Sequence, residues 1–290
     1  MKLASIHHQG RPTVAVQLPD GRLLDLPAAD PDLPTRMELL IADWPRCEPR
    51  VRALLRTPPA AHTLLEAEAR FGPVLGQPEK ILCVGLNYYD HAREVNLPVP
   101  ESPTVFAKYN NVLLGHGQPV QVPATIAQTD YEAELAFVIG RPGKGIAAAH
   151  AYDYVFGYTV FNDVTDREAQ FRVNQWTLGK SPDTFGPLGP YLVTRDEVPD
   201  PHALAVVLRL NGQVLQQSRT DQLIFSVPAL VEHLSRHLTL RPGDVVATGT
   251  PPGVGYVRQP PVYLRPGDVV EVEIESVGTL RNSVVAADTL

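Results

Sequence analysis

The chain has 290 residues, which corresponds to about two domains of ordinary size or to one large domain with an appendage. Hydrophobic residues make up 44% and charged residues 20% of the sequence, and this ordinary globular composition excludes disorder as the main state. The 25 Lys and Arg residues against 32 Asp and Glu residues give a net charge of −7, which disfavours binding to nucleic acid or anionic lipid. We therefore expect no binding to nucleic acid or to a membrane.

The cysteine content and the short apolar runs predict a cytoplasmic protein. No stretch approaches the ~18–20 uninterrupted apolar residues of a membrane span, and the first ten residues contain no apolar run typical of a signal peptide. Cys47 and Cys83 are the only two cysteines, too few for a disulfide framework or a zinc site. Cys83 lies in an apolar run, which predicts a buried and unreactive thiol.

Residues 1–75 are predicted to form a small N-terminal α+β domain. Strands are predicted at Ala4–His8, Thr13–Leu18 and Arg22–Leu26, with a hairpin turn at Asp20-Gly21. Helical patterns follow at Met37–Ala42 and Val51–Leu55, and we expect Pro45 and Pro49 to break them. The Gly- and Pro-rich segment 71–78 predicts a linker to a second domain over residues 76–290.

The second part of the chain is predicted to be rich in strands. We expect strands at Lys80–Val84, Val105–Lys108, Val120–Val122, Ala133–Ile139, Val155–Asn162, Tyr191–Thr194, Ala205–Leu210, Asp244–Ala247, Val269–Ile274 and Gly278–Val285. Helices are predicted at Tyr88–Glu94, Thr165–Val173 and Val227–His237. Many strands with few crossover helices predict a mostly β or α+β fold, a mixed β-sandwich roll rather than a doubly wound parallel sheet.

The sharpest feature of the sequence is an acidic strand that begins at Asp130. Because alternate residues of a strand share a face, Glu132 and Glu134 line up with Asp130. Carboxylates at this spacing repel one another unless a cation or solvent relieves them. An exposed acidic edge strand is the alternative, but Ala136 and Val138 continue the same face and indicate that it enters a core. We therefore favour a metal site.

Asp163, which follows the predicted strand Val155–Asn162, is the next candidate. One interpretation makes it the N-cap of the helix predicted from Thr165. The other joins it with Glu132 and Glu134 in a cage of three carboxylates. Such a cage prefers Mg²⁺ or Mn²⁺ and leaves positions for water or substrate, whereas Ca²⁺ would need more protein oxygens.

His91 and Glu94 form a further candidate pair within one predicted helix. Their three-residue spacing puts both side chains on one helical face, and a carboxylate that orients an imidazole makes a general base able to deprotonate water near pH 7. Surface helices contain many such pairs. This one follows a buried strand through a Gly-Leu-Asn turn and precedes proline-rich segments typical of a hinged lid.

Two rival sites are weaker. His233 and His237 are four residues apart on a predicted helix and could bind a metal, but the zincin order is absent and a solvated helix face is favoured. The glycine-rich run 249–255 lacks the Lys and the Ser or Thr of a P-loop. Its backbone N–H groups and the Thr250 hydroxyl can still bind an anionic ligand.

These candidates and several further motifs together resemble the fumarylacetoacetate hydrolase superfamily over about residues 80–285. The matching motifs, in family order, are Val84-Gly85-Leu86-Asn87-Tyr88-x-Asp90-His91-Ala92-x-Glu94, Phe106-Ala107-Lys108, Asp130-Tyr131-Glu132-x-Glu134-Leu135-Ala136, Gly157-Tyr158-Thr159-Val160-x-Asn162-Asp163-Val164-Thr165, Gly179-Lys180-Ser181-x-Asp183-x-Phe185-x-Pro187-x-Gly189-Pro190, Thr248-Gly249-Thr250-Pro251-x-Gly253-Val254-Gly255 and Pro266-Gly267-Asp268. Residues 1–75 resemble only the variable N-terminal domain of the longer bacterial members.

The resemblance implies a mixed β-sandwich roll, usually assembled as a homodimer, and a role for each site residue. The implied roles are Mg²⁺ or Mn²⁺ binding for Glu132, Glu134 and Asp163, water activation for His91 and Glu94 on a lid, enolate stabilisation for Lys180, and contact with substrate oxygens for Lys108, Arg167, Gln170 and Thr250. Many relatives have Thr-Ala-Arg-Asp where this chain has Thr165-Asp166-Arg167-Glu168, so Asp166 adds a negative charge beside Arg167.

The implied chemistry leaves several reactions open. A 2-oxo acid would chelate the metal, and the metal with Lys180 would stabilise an enolate. We expect a hydrolase, in which His91 and Glu94 activate water to cleave a C–C bond of a 2,4-dioxo acid of the acylpyruvate, fumarylpyruvate or diketo-deoxy sugar acid type. The alternatives are an oxaloacetate-type decarboxylase and a 2-hydroxyhepta-2,4-diene-1,7-dioate isomerase. A non-catalytic binding protein is disfavoured because ion binding alone does not need the dyad and the lysine.

Overall fold

A computed structural model describes residues 1–287 as a sheet-rich α+β fold, which confirms the predicted fold class. The strands in the first half of the chain are β1 (Lys2–His8), β2 (Arg11–Gln17), β3 (Leu23–Asp25), β4 (Thr63–Leu64), β5 (Arg70–Phe71), β6 (Ile81–Gly85), β7 (Thr104–Lys108), β8 (Leu113–Leu114), β9 (Val120–Val122) and β10 (Thr129–Asp130). Those in the second half are β11 (Ala133–Ile139), β12 (Val155–Asn162), β13 (Thr165–Asp166), β14 (Gly186–Thr194), β15 (Ala205–Leu210), β16 (Gln213–Arg219), β17 (Val245–Ala247), β18 (Val269–Ile274) and β19 (Gly278–Ala286). The helices are α1 (Leu26–Ala29), α2 (Met37–Ala42), α3 (Trp44–Arg56), α4 (Tyr89–Glu94), α5 (Arg167–Arg172), α6 (Thr177–Lys180) and α7 (Val227–His237).

The strands form one large mixed sheet, a smaller five-stranded sheet and one two-stranded pair. The large sheet has the order β4-β3-β2-β1-β14-β12-β11-β17-β6-β7, with β5 added to β1 and β8 added to β14. The smaller sheet has the order β16-β15-β18-β19-β9, and β10 pairs with β13. Pairing along the large sheet is antiparallel except that β17 runs parallel to β6 and β8 parallel to β14. The predicted mixed sandwich is therefore confirmed.

The two faces of β11 enter two different cores. Leu135 and Phe137 point into the core shared with the smaller sheet, where Val206 and Val272 also lie. Ala136 points the opposite way, into a second core that includes residues of α2 and α3. This alternation is the two-residue period of a strand. The acidic face of β11 therefore continues into a core, as the sequence predicts, and is not an exposed edge.

The N-terminal residues add strands to the same large sheet. Lys2 pairs with Val193 and Leu3 with Leu192, so β1 continues the sheet directly from β14. The large sheet thus contains strands from both sides of the predicted boundary after residue 75. The division of the chain into residues 1–75 and 76–290 stays a prediction. No helix within residues 1–287 is long and apolar enough to cross a membrane.

The expected breaks at Pro45 and Pro49 are wrong. Helix α3 runs through both positions. Pro45 lies in the first turn, where its missing N–H would have no helical partner, and Pro49 costs one hydrogen bond. The helix also buries Cys47 and Val51 in the second core, and this burial offsets the lost bond.

Other local predictions are confirmed or corrected by tertiary pairing. Helix α7 has the predicted bounds. The helix expected from Thr165 begins only at Arg167, because Thr165 and Asp166 form a strand with β10. Strand β16 and helix α6 have no counterpart among the predictions. The Cys83 thiol is buried as expected, and burial raises its pKa well above the usual range.

We predict that Gly157→Ala destabilises the fold by about 1–3 kcal/mol, the usual cost of overpacking. A Cβ atom at Gly157 would lie 2.2 Å from the Val193 carbonyl oxygen of the neighbouring strand β14. Gly72→Ala is the matched control, because its Cβ would have no neighbour closer than 3.8 Å. Urea unfolding measures both variants, and equal midpoints would contradict the close approach of β12 and β14.

Candidate active site

Three carboxylates converge where strands β11 and β12 come together. Glu134 lies on β11, Glu132 precedes that strand, and Asp163 directly follows β12. The antiparallel register brings them together, and the Asp163 N–H donates to the Glu132 carbonyl oxygen at 2.9 Å. One carboxylate oxygen of each residue lies within 4.8 Å of the others, and all three residues are buried. The three residues predicted as a cage therefore lie together.

The donor set fits a hard divalent cation. All three donors are carboxylate oxygens, the ligands that Mg²⁺ and Mn²⁺ prefer. Burial and the neighbouring charges of Asp163 and Glu132 raise the pKa of Glu134 well above its usual range, so this carboxyl favours the protonated form without an additional positive charge nearby. A cation at this position would relieve that repulsion.

Two lysines partly compensate the three carboxylates. Lys180 donates from Nζ to Glu132 Oε2 at 2.8 Å and to Asp163 Oδ2 at 2.7 Å. Lys108 donates to Asp163 Oδ1 and to the Val164 carbonyl oxygen. Both lysine side chains are buried, so these charge-assisted hydrogen bonds replace their lost hydration.

The electrostatic balance differs from residue to residue. Burial by itself would raise the pKa of Glu132, but the charges of Lys180 and Arg167 lower it to about 2, so this carboxylate stays ionised. Burial opposes the charged form of Lys180, yet Asp163 and Glu132 raise the Lys180 pKa above its usual range. For Lys108, burial lowers the pKa despite the charge of Asp163.

Arg167 links two acidic residues at the edge of the site. Its Nε donates to Asp130 Oδ2 at 2.8 Å, and its Nη2 lies 2.7 Å from Glu132 Oε1. That distance is the distance of an ion pair, so the Arg167 charge compensates the Glu132 carboxylate. Nη1 donates to Gln170 Oε1 at 2.8 Å. Asp130, Glu132 and Gln170 therefore fix the orientation of the guanidinium.

The predicted dyad forms on helix α4. His91 Nδ1 and Glu94 Oε2 are 2.8 Å apart, and the Glu94 Oε1 atom accepts a hydrogen bond from the Gly253 N–H at 2.8 Å. His91 is buried against the site, whereas the Glu94 side chain keeps 23% of its surface exposed. Glu94 thereby holds one imidazole nitrogen and leaves Nε2 for other contacts.

The glycine-rich loop binds the protein's own carboxylates. The Gly249 N–H donates to Glu134 Oε2 at 2.8 Å, and the Gly255 N–H donates to Asp130 Oδ1 at 2.7 Å. These two N–H groups therefore already have carboxylate partners within the protein, and binding of an anionic ligand by the rest of the run stays a prediction. Thr250 remains beside the site, and its hydroxyl oxygen accepts a hydrogen bond from Gln216.

A cavity of about 130 Å³ lies over the carboxylates. It is lined by His91, Glu132, Glu134, Arg167, Gln170, Lys180 and Thr250 on its polar side. The other walls are apolar or aromatic and comprise Val84, Gly85, Leu86, Val95, Leu97, Phe106, Phe171, Trp176 and Tyr256. Most of the predicted site residues thus surround one small space.

Three of the predicted residues do not line this cavity. Glu94 and Asp163 support residues that do, through His91 and Lys180. Lys108 lies behind Asp163, fully buried, with its ammonium occupied by Asp163 and a backbone oxygen. The expected contact between Lys108 and substrate therefore has no support in this geometry, and the residue orients Asp163 instead.

Asp166 resolves two questions raised by the sequence. Its side chain accepts hydrogen bonds from the Glu168 and Ala169 N–H groups, so Asp166 is the N-cap of α5. The interpretation of Asp163 as that cap is wrong, because the helix begins later than expected. The extra negative charge of Asp166 stabilises the helix start and does not line the cavity.

The sequence reasoning missed the aromatic wall of the cavity. Phe106 and Trp176 pack edge to face with ring centroids 5.5 Å apart, and Phe171 packs against Tyr256 at 5.2 Å. These residues come from four separate segments. Phe106 belongs to one of the family motifs, but no local pattern indicates that these four rings meet.

Comparison with known proteins agrees with this geometry. The family model described as Fumarylacetoacetate (FAA) hydrolase C-terminal matches residues 80–285. The chain belongs to the fumarylacetoacetate hydrolase family. Among curated family members, it is 44% identical over 277 residues to the protein named oxaloacetate tautomerase fahd2, mitochondrial, from Xenopus laevis, covering 94% of this chain and 86% of that protein.

Two solved structures of fumarylacetoacetate hydrolase relatives match the whole fold. The fumarylacetoacetate hydrolase from Exiguobacterium antarcticum superposes with a TM-score of 0.86 at 34% identity, covering 99% of this chain and 100% of that one. The maleylpyruvate hydrolase from Sphingobium sp. SYK-6, solved with manganese(II) and pyruvate, gives a TM-score of 0.84 at 28% identity with the same coverage. The family therefore includes hydrolases and a tautomerase.

We predict that Glu134→Gln weakens Mn²⁺ binding by at least ~100-fold, because even the loss of a residue that supports a ligand costs 10–100-fold. The substitution keeps the shape and an acceptor for the Gly249 N–H. Glu168→Gln, at an exposed position of α5, is the matched control. Calorimetric titration measures both affinities, and parental binding by folded Glu134→Gln protein would rule out this residue as a ligand.

Proposed function

We propose that the protein is a metal-dependent enzyme that interconverts the keto and enol forms of a small 2-oxo dicarboxylic acid, with oxaloacetate as the substrate. The observation that carries the proposal is one cavity of about 130 Å³ with His91 on its wall, two acidic residues of the triad beneath and two buried cations beside them. Typical ligand pockets measure ≈ 300–1,000 Å³, so this space favours a short substrate.

The triad would hold the cation that the family implies. Glu132, Glu134 and Asp163 would be its protein ligands, and Mg²⁺ or Mn²⁺ fits their oxygens. When bound, such an ion supplies positive charge that polarises the keto group and makes the neighbouring C–H more acidic. The protein's own side chains would transfer the proton and orient the substrate.

His91 is the acid and base of the proposed reaction. With Nδ1 directed at Glu94, the Nε2 atom takes a proton from the carbon next to the keto group. The electron pair of that C–H bond forms the C=C bond, and the carbonyl electrons move to oxygen. A proton delivered to that oxygen completes the enol, and the reverse sequence restores the ketone with no other reactant.

Two cations orient the substrate and stabilise the developing charge. Arg167 lines the cavity, and its positive charge suits a substrate carboxylate. The Lys180 ammonium stays charged at neutral pH, since its pKa is raised by the carboxylates, and it stabilises negative charge on the enolate oxygen.

The oxaloacetate tautomerase from Xenopus supports this choice of reaction through 44% identity over most of both chains. Cleavage of a 2,4-dioxo acid, the function expected from the sequence, is the second candidate. The maleylpyruvate hydrolase complex with manganese(II) and pyruvate favours it, because pyruvate is the fragment that such cleavage releases. The same dyad would then activate water instead of moving a proton on carbon.

The deciding experiment follows the enol absorbance of oxaloacetate in the ultraviolet, beside acetylpyruvate, with pyruvate measured in both reactions. Accelerated decay of the enol without pyruvate, lost with EDTA and restored by Mg²⁺ or Mn²⁺, is the expected result. Loss of acetylpyruvate with formation of acetate and pyruvate would establish the hydrolase instead. Formation of pyruvate from oxaloacetate but not from acetylpyruvate would establish a decarboxylase.

We predict that His91→Asn lowers kcat for tautomerisation by 10²–10⁴-fold, the usual contribution of a general base. Glu94→Gln is expected to lower it less, because the imidazole keeps a hydrogen-bond acceptor but loses a charged one. Glu101→Gln, on an exposed residue beyond α4, is the control and should leave the rate unchanged. A parental rate in folded His91→Asn protein would exclude His91 as the base.

Assembly as a homodimer and a cytoplasmic location stay predictions.

A further inference from the structure

The apolar wall of the cavity includes a fitted pair, Gly85 at the end of β6 and Trp176 before α6. A Cβ atom at Gly85 would lie 2.6 Å from Trp176 Cζ3 and 3.1 Å from Cη2. Such distances are shorter than van der Waals contact, so the six-membered ring of the indole occupies the space that a side chain at Gly85 would need. The glycine thus allows Trp176 to fill the side of the cavity.

Trp176 lies close to the polar residues that hold the substrate in the proposed reaction. Its ring packs edge-on against Phe106 at 5.5 Å, and the Lys180 ammonium lies 5.0 Å from the centre of the Phe106 ring. The indole is therefore one aromatic ring away from the ammonium that contacts Glu132 and Asp163. Phe106 and Trp176 thus form one aromatic wall of the small cavity that Lys180 also lines.

We propose that Trp176 sets the upper length of the substrate, so that the cavity accepts short 2-oxo acids and excludes those with longer acyl chains. This inference rests on the proposed binding of 2-oxo acids at the triad. The physical cause is steric, because the half-buried indole already packs against Gly85 and cannot move toward strand β6 to make room for a longer chain. One methylene group in a fitted apolar pocket changes substrate discrimination by 10–200-fold.

Substitution of Trp176 leaves the main supports of the catalytic residues in place. The Lys180 N–H donates a hydrogen bond to the Trp176 carbonyl oxygen at 3.0 Å. This bond involves only the backbone of Trp176, not its indole. The Lys180 ammonium is held by Glu132 and Asp163, not by the indole. The variants Trp176→Phe, Trp176→Leu and Trp176→Ala therefore provide a graded series in which only the wall changes.

The test measures binding, so that it does not depend on turnover. Pyruvate, 2-oxobutyrate, 2-oxohexanoate and 2-oxooctanoate are titrated by calorimetry into the Mn²⁺-loaded protein. We expect the parent to bind the longer two at least 10-fold more weakly than pyruvate, and Trp176→Ala to bind them at least 10-fold more tightly than the parent does. Trp176→Phe and Trp176→Leu should fall between. Leu178→Ala is the matched control, because Leu178 is 79% exposed and does not line the cavity.

The outcomes separate this inference from the proposed function. An unchanged length profile in Trp176→Ala protein that still binds pyruvate would overturn the role of Trp176. Absence of pyruvate binding in the parent would contradict the 2-oxo acid site itself, and the length limit with it. Binding of pyruvate without tautomerase activity would contradict the proposed reaction only, and the length profile would still decide the role of Trp176.

Discussion

The site depends on charge compensation at the junction of strands β11 and β12. Three buried carboxylates with oxygens within 4.8 Å of one another repel, and burial together with this repulsion raises the pKa of Glu134. Lys180 and Lys108 each donate to one Asp163 oxygen and Arg167 lies beside Glu132, and a divalent cation would add further positive charge at the three carboxylates. The arrangement is thus a buried ionic network whose members are stable only together.

The glycine-rich loop extends this network from the metal-binding candidates to the dyad. Its Gly249 and Gly253 N–H groups donate to Glu134 and Glu94, which belong to different parts of the site. Gly253 has a φ of 103° and lies so close to strand β16 that a Cβ atom would be 2.1 Å from the Leu215 carbonyl oxygen. Only glycine fits this position, so one backbone segment sets the distance between the proposed base and the carboxylates.

Particular residues show how far sequence reasoning reached. The alternation at Glu132 and Glu134 predicted a shared face, and the strand period is a local property that tertiary packing did not alter. The family motifs placed Asp163 with them. The same motifs predict that Lys108 contacts substrate, whereas its ammonium donates a hydrogen bond to Asp163. A motif records which residue is present, and the direction of a long side chain depends on neighbours that only the fold supplies.

By itself, the sequence determined the strand-rich class, the acidic face of β11, the His91–Glu94 pair and the family, because each depends on short-range periodicity or on ordered motifs. The tertiary structure decided the rest. Pairing with β10 delayed the start of α5, burial carried α3 through two prolines, and the meeting of Gly85 with Trp176 shaped the cavity. These features depend on contacts between residues far apart in the chain, whose energies no local pattern encodes.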